Sequence, residues 1–319
     1  MPLDLKTIRE AHTRIVPYLH RTPVLTSSRL SESVGTQVWF KCENFQKTGA
    51  FKARGATNAV LSLTDAEAAH GVVTHSSGNH GAAVAWAAKR RGIRAYVVMP
   101  EGSARVKIAA AESYGARITF CAPNGPAREA TCRRVIEETG ATLIHPFVDE
   151  RVMAGQGTAA LELCEDVPAL RTLLCPVGGG GLLSGTAIVA KSLPTKLRVF
   201  GTEPSGADDA ARSFAARRRV TLDQVSTIAD GLRTTIGEPN LAVILQHVDG
   251  IATVTEASIV GAMRLIWETL KIVIEPSAAV AFAALLEKKI PLTSDDRIGV
   301  ILSGGNVDLD TLPWIAQSC

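Results

Sequence analysis

Lys52 stands in the run Asn-Phe-Gln-Lys-Thr-Gly-Ala-Phe-Lys-Ala-Arg-Gly-Ala-Thr over residues 44–57, next to the ring of Phe51 and shortly before Gly55. A lysine amine at a helix start can form an imine with a cofactor aldehyde, and the partial positive charge of the helix N-terminus favours a phosphate nearby. From this segment alone the competing reading is a solvated basic patch of Lys47, Lys52 and Arg54. Gly178, Gly179, Gly180 and Gly181 follow an apolar run and open a second helix. Four residues without side chains let backbone N–H groups approach an oxyanion, whereas a plain strand-to-helix turn needs only one or two. Leu183 or Ser184 falls where GxGxxG requires its third glycine, and no Gly-Lys-Ser/Thr follows. The dinucleotide and P-loop readings therefore fail, and a single terminal phosphate fits.

Three further clusters occupy comparable corners. Ser76-Ser77-Gly78-Asn79-His80-Gly81 ends a β-rich run and opens a helix, so its hydroxyls and amides face the side where parallel sheets bind ligands. N-capping explains one such residue, not the whole cluster. His75 and His80 lack a nearby third partner and are not read as metal ligands. Ser303-Gly304-Gly305-Asn306 follows the β-run of residues 298–302 and offers a hydroxyl to a ring nitrogen, or forms a plain turn. Glu203-Pro204-Ser205-Gly206-Ala207-Asp208-Asp209 gathers three carboxylates within seven residues. Such an oxygen-rich loop suits Mg²⁺ or Ca²⁺, and equally a solvated acidic turn with an Asp N-cap.

The elements that must carry these clusters alternate. β-rich runs at 72–74, 94–99, 118–121 and 142–145 enclose Ala-rich helical runs at 81–91, 104–114 and 127–139, with Gly92, Gly115 and Gly140 as C-cap signals. The alternation resumes with a helix from 152 to 165, a strand at 173–177, a helix to 193 and a strand at 197–202. It closes with a helix at 277–288 and a strand at 298–302. This predicts α/β architecture with twisted, mostly parallel sheets flanked by helices, in two domains. Residues 71–147 form the smaller. Residues 1–70 join 148–319 in the larger, because the strand at 38–42 needs partners.

With 319 residues, 46% hydrophobic and only 5% aromatic, the chain suits close helix-on-sheet packing. A net charge of +3 argues against nucleic acid or an anionic membrane as partner. Residues 1–25 scatter charges through any apolar run, so neither a signal peptide nor a membrane span is expected, and a cytoplasmic location is. The six widely spaced cysteines form no CxxC pair and are expected as buried thiols.

Taken together, Thr-Gly-Ala-Phe-Lys-Ala-Arg-Gly-Ala around Lys52, Ser-Ser-Gly-Asn-His-Gly at 76–81, Gly-Gln-Gly-Thr at 155–158, the four glycines, Glu-Pro-Ser-Gly-Ala-Asp-Asp-Ala at 203–210 and Ser-Gly-Gly-Asn at 303–306 resemble the fold type II pyridoxal phosphate (PLP) enzymes, whose fold is like that of the tryptophan synthase β chain. Thr74 to Gly81, His145-Pro146-Phe147, Ala229-Asp230-Gly231 and Leu302 to Asp308 point within them to the serine racemases and serine/threonine dehydratases, which are ammonia-lyases. The resemblance implies that Lys52 carries the cofactor and acts as base on one face of Cα, with Phe51 flanking the ring. It implies that Asn79 contacts the 3′ oxygen, that Gly178, Gly179, Gly180 and Gly181 hold the phosphate, and that Ser303 meets the pyridine nitrogen. The substrate carboxylate would lie against Ser76, Asn79 and His80. Glu203, the Ala207 carbonyl and Asp209 would hold the cation, and a homodimer is implied.

The expected reaction is elimination of water from hydroxy amino acids such as L-serine and L-threonine, giving a 2-keto acid and ammonia. A serine beside the ring nitrogen makes a moderate electron sink, so loss of a β-hydroxyl competes with other fates of the carbanion. Ser77 matches the racemases' base on the opposite face and permits serine racemisation. Arg128 matches an arginine near the racemase pocket and would suit a second carboxylate, as in L-threo-3-hydroxyaspartate; its alternative is a solvated helix-start arginine. Ala82 and Ala83 replace a longer polar residue of some relatives, which leaves activation by ATP open. β-Replacement and a non-catalytic ligand sensor remain as alternatives.

Overall fold

The computed structural model describes residues 3–314 other than 77, 104 and 294. Its strands are β1 (Val24–Thr26), β2 (Gln37–Cys42), β3 (Val72–His75), β4 (Ala95–Pro100), β5 (Arg117–Cys121), β6 (Thr142–Leu143), β7 (Thr172–Pro176), β8 (Arg198–Pro204), β9 (Gly250–Val254) and β10 (Arg297–Leu302). They make a six-stranded sheet in the order β1-β2-β10-β7-β8-β9 and a four-stranded sheet in the order β5-β4-β3-β6. The β1–β2 pair is antiparallel, and the other named pairings are parallel. β7 is buried throughout, as suits a strand covered by helices on both faces.

β2 finds its partner at the far end of the chain, with Val38 opposite Ile298 and Cys42 opposite Leu302. The helix Lys52–Leu61 then passes to the other sheet, where Ala56, Ala59 and Val60 bury with Val72, Val84 and Ile144. The helix carrying Lys52 is thus packed by both parts of the molecule.

The Gly-Gln-Gly-Thr run explains how that helix is seated. A Cβ on Gly155 would lie 2.6 Å from the Arg54 carbonyl oxygen, and one on Gly185 would lie 2.6 Å from the Gly157 nitrogen. The helix Glu150–Asp166 therefore approaches Lys52–Leu61 and Gly181–Ser192 at backbone distance, and side chains there would force the helices apart. Between its glycines, Gln156 Oε1 accepts a hydrogen bond from the Gly55 amide at 3.0 Å.

Arg54 is not part of a solvated patch. It is fully buried and donates to Glu43 Oε2 at 2.7 Å and to Glu162 Oε2 at 2.8 Å, while Lys41 Nζ lies 2.7 Å from Glu162 Oε2. Burial pushes the Glu162 carboxyl up, but hydrogen bonds from His12 and Arg54 and the nearby charges of Arg54 and Lys41 outweigh it and hold the group well below its ordinary value.

Most expected strands and helices occur within a few residues of their expected ends. The run at 142–145 is shorter as a strand, because the chain turns away before His145-Pro146, and proline has no N–H to continue the ladder. The helix expected from 81 starts at Asn79, with Gly78 as its cap. β1, β9 and the helices Leu5–Ile15, Glu238–His247 and Glu256–Leu270 carry no element in the sequence reading. No helix of the described residues is long and apolar enough to cross a membrane. Cys42, Cys121, Cys132, Cys164 and Cys175 are free and buried; Cys319 lies outside the described residues.

Candidate active site

Lys52 is fixed through the backbone on either side of it. Ala50 and Gly304 form an isolated β-bridge, the Phe51 amide donates to the Ser303 carbonyl at 2.9 Å, and the Gly305 amide donates to the Gly49 carbonyl at 2.9 Å. The Lys52 turn is thereby bound to the Ser-Gly-Gly-Asn turn after β10, although some 250 residues separate them in the chain. Gly49 requires its glycine here: it sits at φ 73, and a Cβ would fall 2.4 Å from Asn306 Oδ1. Lys52 Nζ lies 5.1 Å from the centroid of Phe51 and donates to the Pro146 carbonyl oxygen at 2.9 Å.

The amine opens onto two adjoining spaces. A cleft of about 420 Å³ is lined by Lys52, His75, Ser76, Asn79, Arg128 and His145. A deeper, narrower cavity of about 60 Å³ lies between Phe51, Asn79, the four glycines, Glu275 and Ser303. Both lie beyond the carboxyl ends of parallel strands, where such sheets bind ligands. A larger open crevice of about 830 Å³ beside Thr36, Arg171 and Arg297 lies at the opposite, amino ends of β2 and β10, away from Lys52.

The glycine run has the shape of an anion cradle. Gly180 caps the helix Gly181–Ser192 at φ 92, and the first N–H groups of a helix have no partner within it. The ring of Phe147 covers Gly179 so closely that a Cβ there would lie 2.4 Å from its Cγ. These amides, the serine hydroxyl of Ser303 and a nearby lysine form a donor set that fits a pyridine carrying an aldehyde and one phosphate.

The charges around the cavity are shifted by its dryness. Burial lowers the Lys52 amine to about 8, opposed by the negative charge of Glu275. Burial raises the Glu275 carboxyl to about 7 against the pull of Lys107, Asn79 and Lys52. His145 falls to about 4 through burial and the nearby His75 and Lys52, and His80 falls well below its ordinary value through burial and the charge of Lys52. Both imidazoles are therefore neutral near neutrality.

His80 is only 2% exposed, and its Nε2 lies 3.1 Å from the Ile144 carbonyl oxygen, which can only accept. The proton of the neutral ring is thus on Nε2, and Nδ1 is a buried acceptor with no partner among the described residues. The ring has no donor left for a carboxylate. What His80 offers an anion is its backbone N–H in the first turn of the helix Asn79–Arg91.

Phe51, Lys52, Asn79, Gly178, Gly179, Gly180, Gly181 and Ser303 meet around the deep cavity, and Ser76, Asn79, His80 and Arg128 line the outer cleft. Arg128 is half-buried, and its Nε has no hydrogen-bond partner among the described residues. Ser77 lies outside the described residues. Glu203, Ala207 and Asp209 form a separate buried group at the end of β8. There Glu203 accepts from the Ala210 and Ala211 amides at 3.3 and 2.6 Å, and Asp209 accepts from the Ile236 amide at 2.7 Å. Among the described residues no three His, Cys, Asp or Glu side chains are clustered to hold a metal.

Sequence reasoning missed Glu275 and Asn306 as site residues. Asn79 Nδ2 donates to Glu275 Oε1 at 2.8 Å, and Asn306 Nδ2 donates to Asn79 Oδ1 at 3.0 Å. The Glu-Pro-Ser run at 275–277, directly before a helix, was the available signal.

The sequence profile of the family described as pyridoxal-phosphate dependent enzyme matches residues 15–304. The chain is 50% identical over 316 residues to a serine racemase of Dictyostelium discoideum, covering 98% of each chain. It is 49% identical over 304 residues to a beta-hydroxyaspartate dehydratase of Paracoccus denitrificans, covering 95% of this chain and 96% of the relative. The solved structure of maize serine racemase superposes with a TM-score of 0.95 at 47% identity, covering 98% of this chain and 96% of that one.

Proposed function

This chain belongs to the pyridoxal-phosphate dependent enzymes, and from that premise we propose that it eliminates water from hydroxy amino acids such as L-serine and L-threonine, with serine racemisation as a second activity. The observation that carries the proposal is the meeting of the Lys52 amine, the glycine cradle, Asn79 and Ser303 around one cavity. Bound there, PLP supplies an electron sink for the pair left on Cα when its proton departs.

The chain's own groups do the rest. Backbone N–H groups at Gly178, Gly179, Gly180 and Gly181 would hold the phosphate, Asn79 would donate to the ring 3′ oxygen, Ser303 would meet the ring nitrogen and Phe51 would flank the ring, all of them lining the one cavity. Ser76 and the backbone amides of Asn79 and His80 hold the substrate carboxylate. Lys52 removes the Cα proton from one face. An amine lowered to about 8 has a neutral fraction near neutrality that an ordinary lysine lacks. By the resemblance to the racemases, Ser77 would be the base on the opposite face, which racemisation requires.

A second reading concerns the substrate. The unpaired Arg128 Nε at the outer cleft favours a substrate with a second carboxylate, such as L-threo-3-hydroxyaspartate. The likeness to a beta-hydroxyaspartate dehydratase supports it. Glu203, the Ala207 carbonyl and Asp209 are proposed to bind Mg²⁺ or Ca²⁺, as the resemblance implies; the two carboxyls are buried together at the end of β8, and such cations take oxygen ligands. Homodimer formation, a cytoplasmic location and the division into residues 1–70 with 148–319 and residues 71–147 complete the proposal; the composition of the two sheets supports that division.

The test is initial 2-keto-acid release from L-serine, L-threonine and L-threo-3-hydroxyaspartate, with the chirality of the remaining amino acid. Release from serine or threonine supports dehydration, and D-serine adds racemisation. Release from hydroxyaspartate alone selects the Arg128 reading, and release from none overturns the proposal.

A further inference from the structure

We infer that Glu275 and Asn306 are positioning residues that clamp the carboxamide of Asn79 from both sides and dictate which of its ends meets the cofactor. The inference rests on the PLP reading of the cavity.

Donors and acceptors fix the order of the chain. An ionised carboxylate only accepts, so the group Asn79 turns toward Glu275 Oε1, 2.8 Å away, must be its NH₂. Its oxygen then faces Asn306, whose Nδ2 donates one hydrogen to Asn79 Oδ1 at 3.0 Å and the other to the Thr48 carbonyl at 2.7 Å. Both hydrogens of Asn306 are spent. One N–H of Asn79 remains, and Asn79 lines the deep cavity. Reversing any one amide would set donor against donor or acceptor against acceptor along the chain, so the Thr48 carbonyl at one end and Glu275 at the other orient the two amides between them.

The anchors at either end are rigid. Glu275 is 3% exposed, its amide donates to the Gly304 carbonyl at 3.0 Å, and a Cβ on Gly304 would lie 2.6 Å from its Oε1. At the other end Thr48 sits at φ 60, a left-handed conformation uncommon for a β-branched residue. The Asn306 hydrogen bond to its carbonyl helps hold it there, four residues before Lys52. The clamp therefore joins the Lys52 turn, the turn after β10 and the helix that follows β3 in the other sheet. Burial raises the Glu275 carboxyl, and the positive charges of Lys107 and Lys52 and the hydrogen bond from Asn79 oppose that rise.

The experiment titrates the cofactor-free protein with pyridoxal phosphate and reads dissociation constants from the visible absorbance. E275Q, N306A and N79A are measured alone, then E275Q/N79A and N306A/N79A. E275Q is included because glutamine matches glutamate in size but can present either end to Asn79. The clamp predicts that E275Q and N306A each weaken binding about tenfold when Asn79 is present and have no further effect in the N79A background. Equal fold-losses in both backgrounds, or none in either, would overturn it.

The same cycle is run in urea on the cofactor-free protein, where N306A and N79A are expected to be non-additive in unfolding midpoint; additivity there would also overturn the clamp. If the wild-type protein failed to bind PLP but kept that coupling, the functional reading would fall and the clamp would stand.

Discussion

Lys52 Nζ donates a hydrogen bond at 2.9 Å to the carbonyl oxygen of Pro146, joining the helix Lys52–Leu61 to the segment that leaves the four-stranded sheet after β6. A carbonyl accepts from a charged or a neutral amine, so this contact holds the nitrogen in place without fixing its charge. Burial then lowers the amine to about 8. Only the neutral amine attacks an aldehyde. The rate at which cofactor-free protein captures PLP should rise about tenfold per pH unit below about 8 and level off above it. Stopped-flow absorbance measures this, and an inflection near the ordinary lysine value of 10.5 would contradict the burial argument.

The Phe147 ring over Gly179 makes a steric prediction. A Cβ at residue 179 would lie 2.4 Å from the ring, a distance real side chains do not tolerate. G179A should force the ring or the cradle to move, costing about 1–3 kcal/mol and weakening PLP binding about tenfold or more. Removing the ring as well, in F147A/G179A, should restore much of that affinity. Cofactor titration of the single and double variants measures both effects, and a double variant no better than G179A would place the damage in the backbone.

The Glu203–Asp209 group predicts a cation effect that depends on pH. Burial raises Glu203 to about 9 from an ordinary 4.5, with Asp209 and Asp208 adding to the rise, and burial raises Asp209 to about 6. Between the ordinary and the raised value the folded protein binds more protons than the unfolded chain. Without a cation, these groups therefore make stability fall as pH rises from about 4.5 toward about 9. A divalent cation replaces the protons, so Mg²⁺ or Ca²⁺ should raise Tm more at pH 8.5 than at pH 6. Thermal unfolding with chelator and with each ion measures it; Tm values unmoved by the ions at both pH values would return the loop to a structural role.

The buried charges around Arg54 predict a large loss from a single change. Arg54 is the shared donor to Glu43 and Glu162, all three almost wholly enclosed. Arg54→Met would leave two buried carboxylates with Lys41 as the remaining buried cation, at a cost on the order of 3–5 kcal/mol. Urea unfolding of the cofactor-free protein should show it as a lowered midpoint. A shift under about 1 kcal/mol would mean that water or neighbouring groups compensate.

The alternation of β-rich and Ala-rich runs made the parallel sheets legible, because doubly covered strands are continuous apolar runs such as Leu173-Leu174-Cys175. The glycine turn was legible because four glycines exceed what a connection requires. Glu275 was not: its meaning comes from meeting Asn79, 196 residues away, and nothing local marks that pairing. Arg54 was misread as a candidate for a solvated patch for the same reason, since its partners Glu43 and Glu162 come together only in the packed core. The Gly-Gln-Gly-Thr run was visible as a motif, but its work is helix packing, which a spacing of two glycines does not reveal. The edge strand β1 is three residues long and half-buried, too short for any periodicity to show.

Reductive trapping tests the central claim most directly. The PLP-loaded protein is treated with borohydride, digested, and the modified peptide sequenced by mass spectrometry. A pyridoxyl group on Lys52 alone, absent from K52A, is the predicted result. A label on another lysine, or undiminished labelling in K52A, would contradict the assignment on which the proposed chemistry depends.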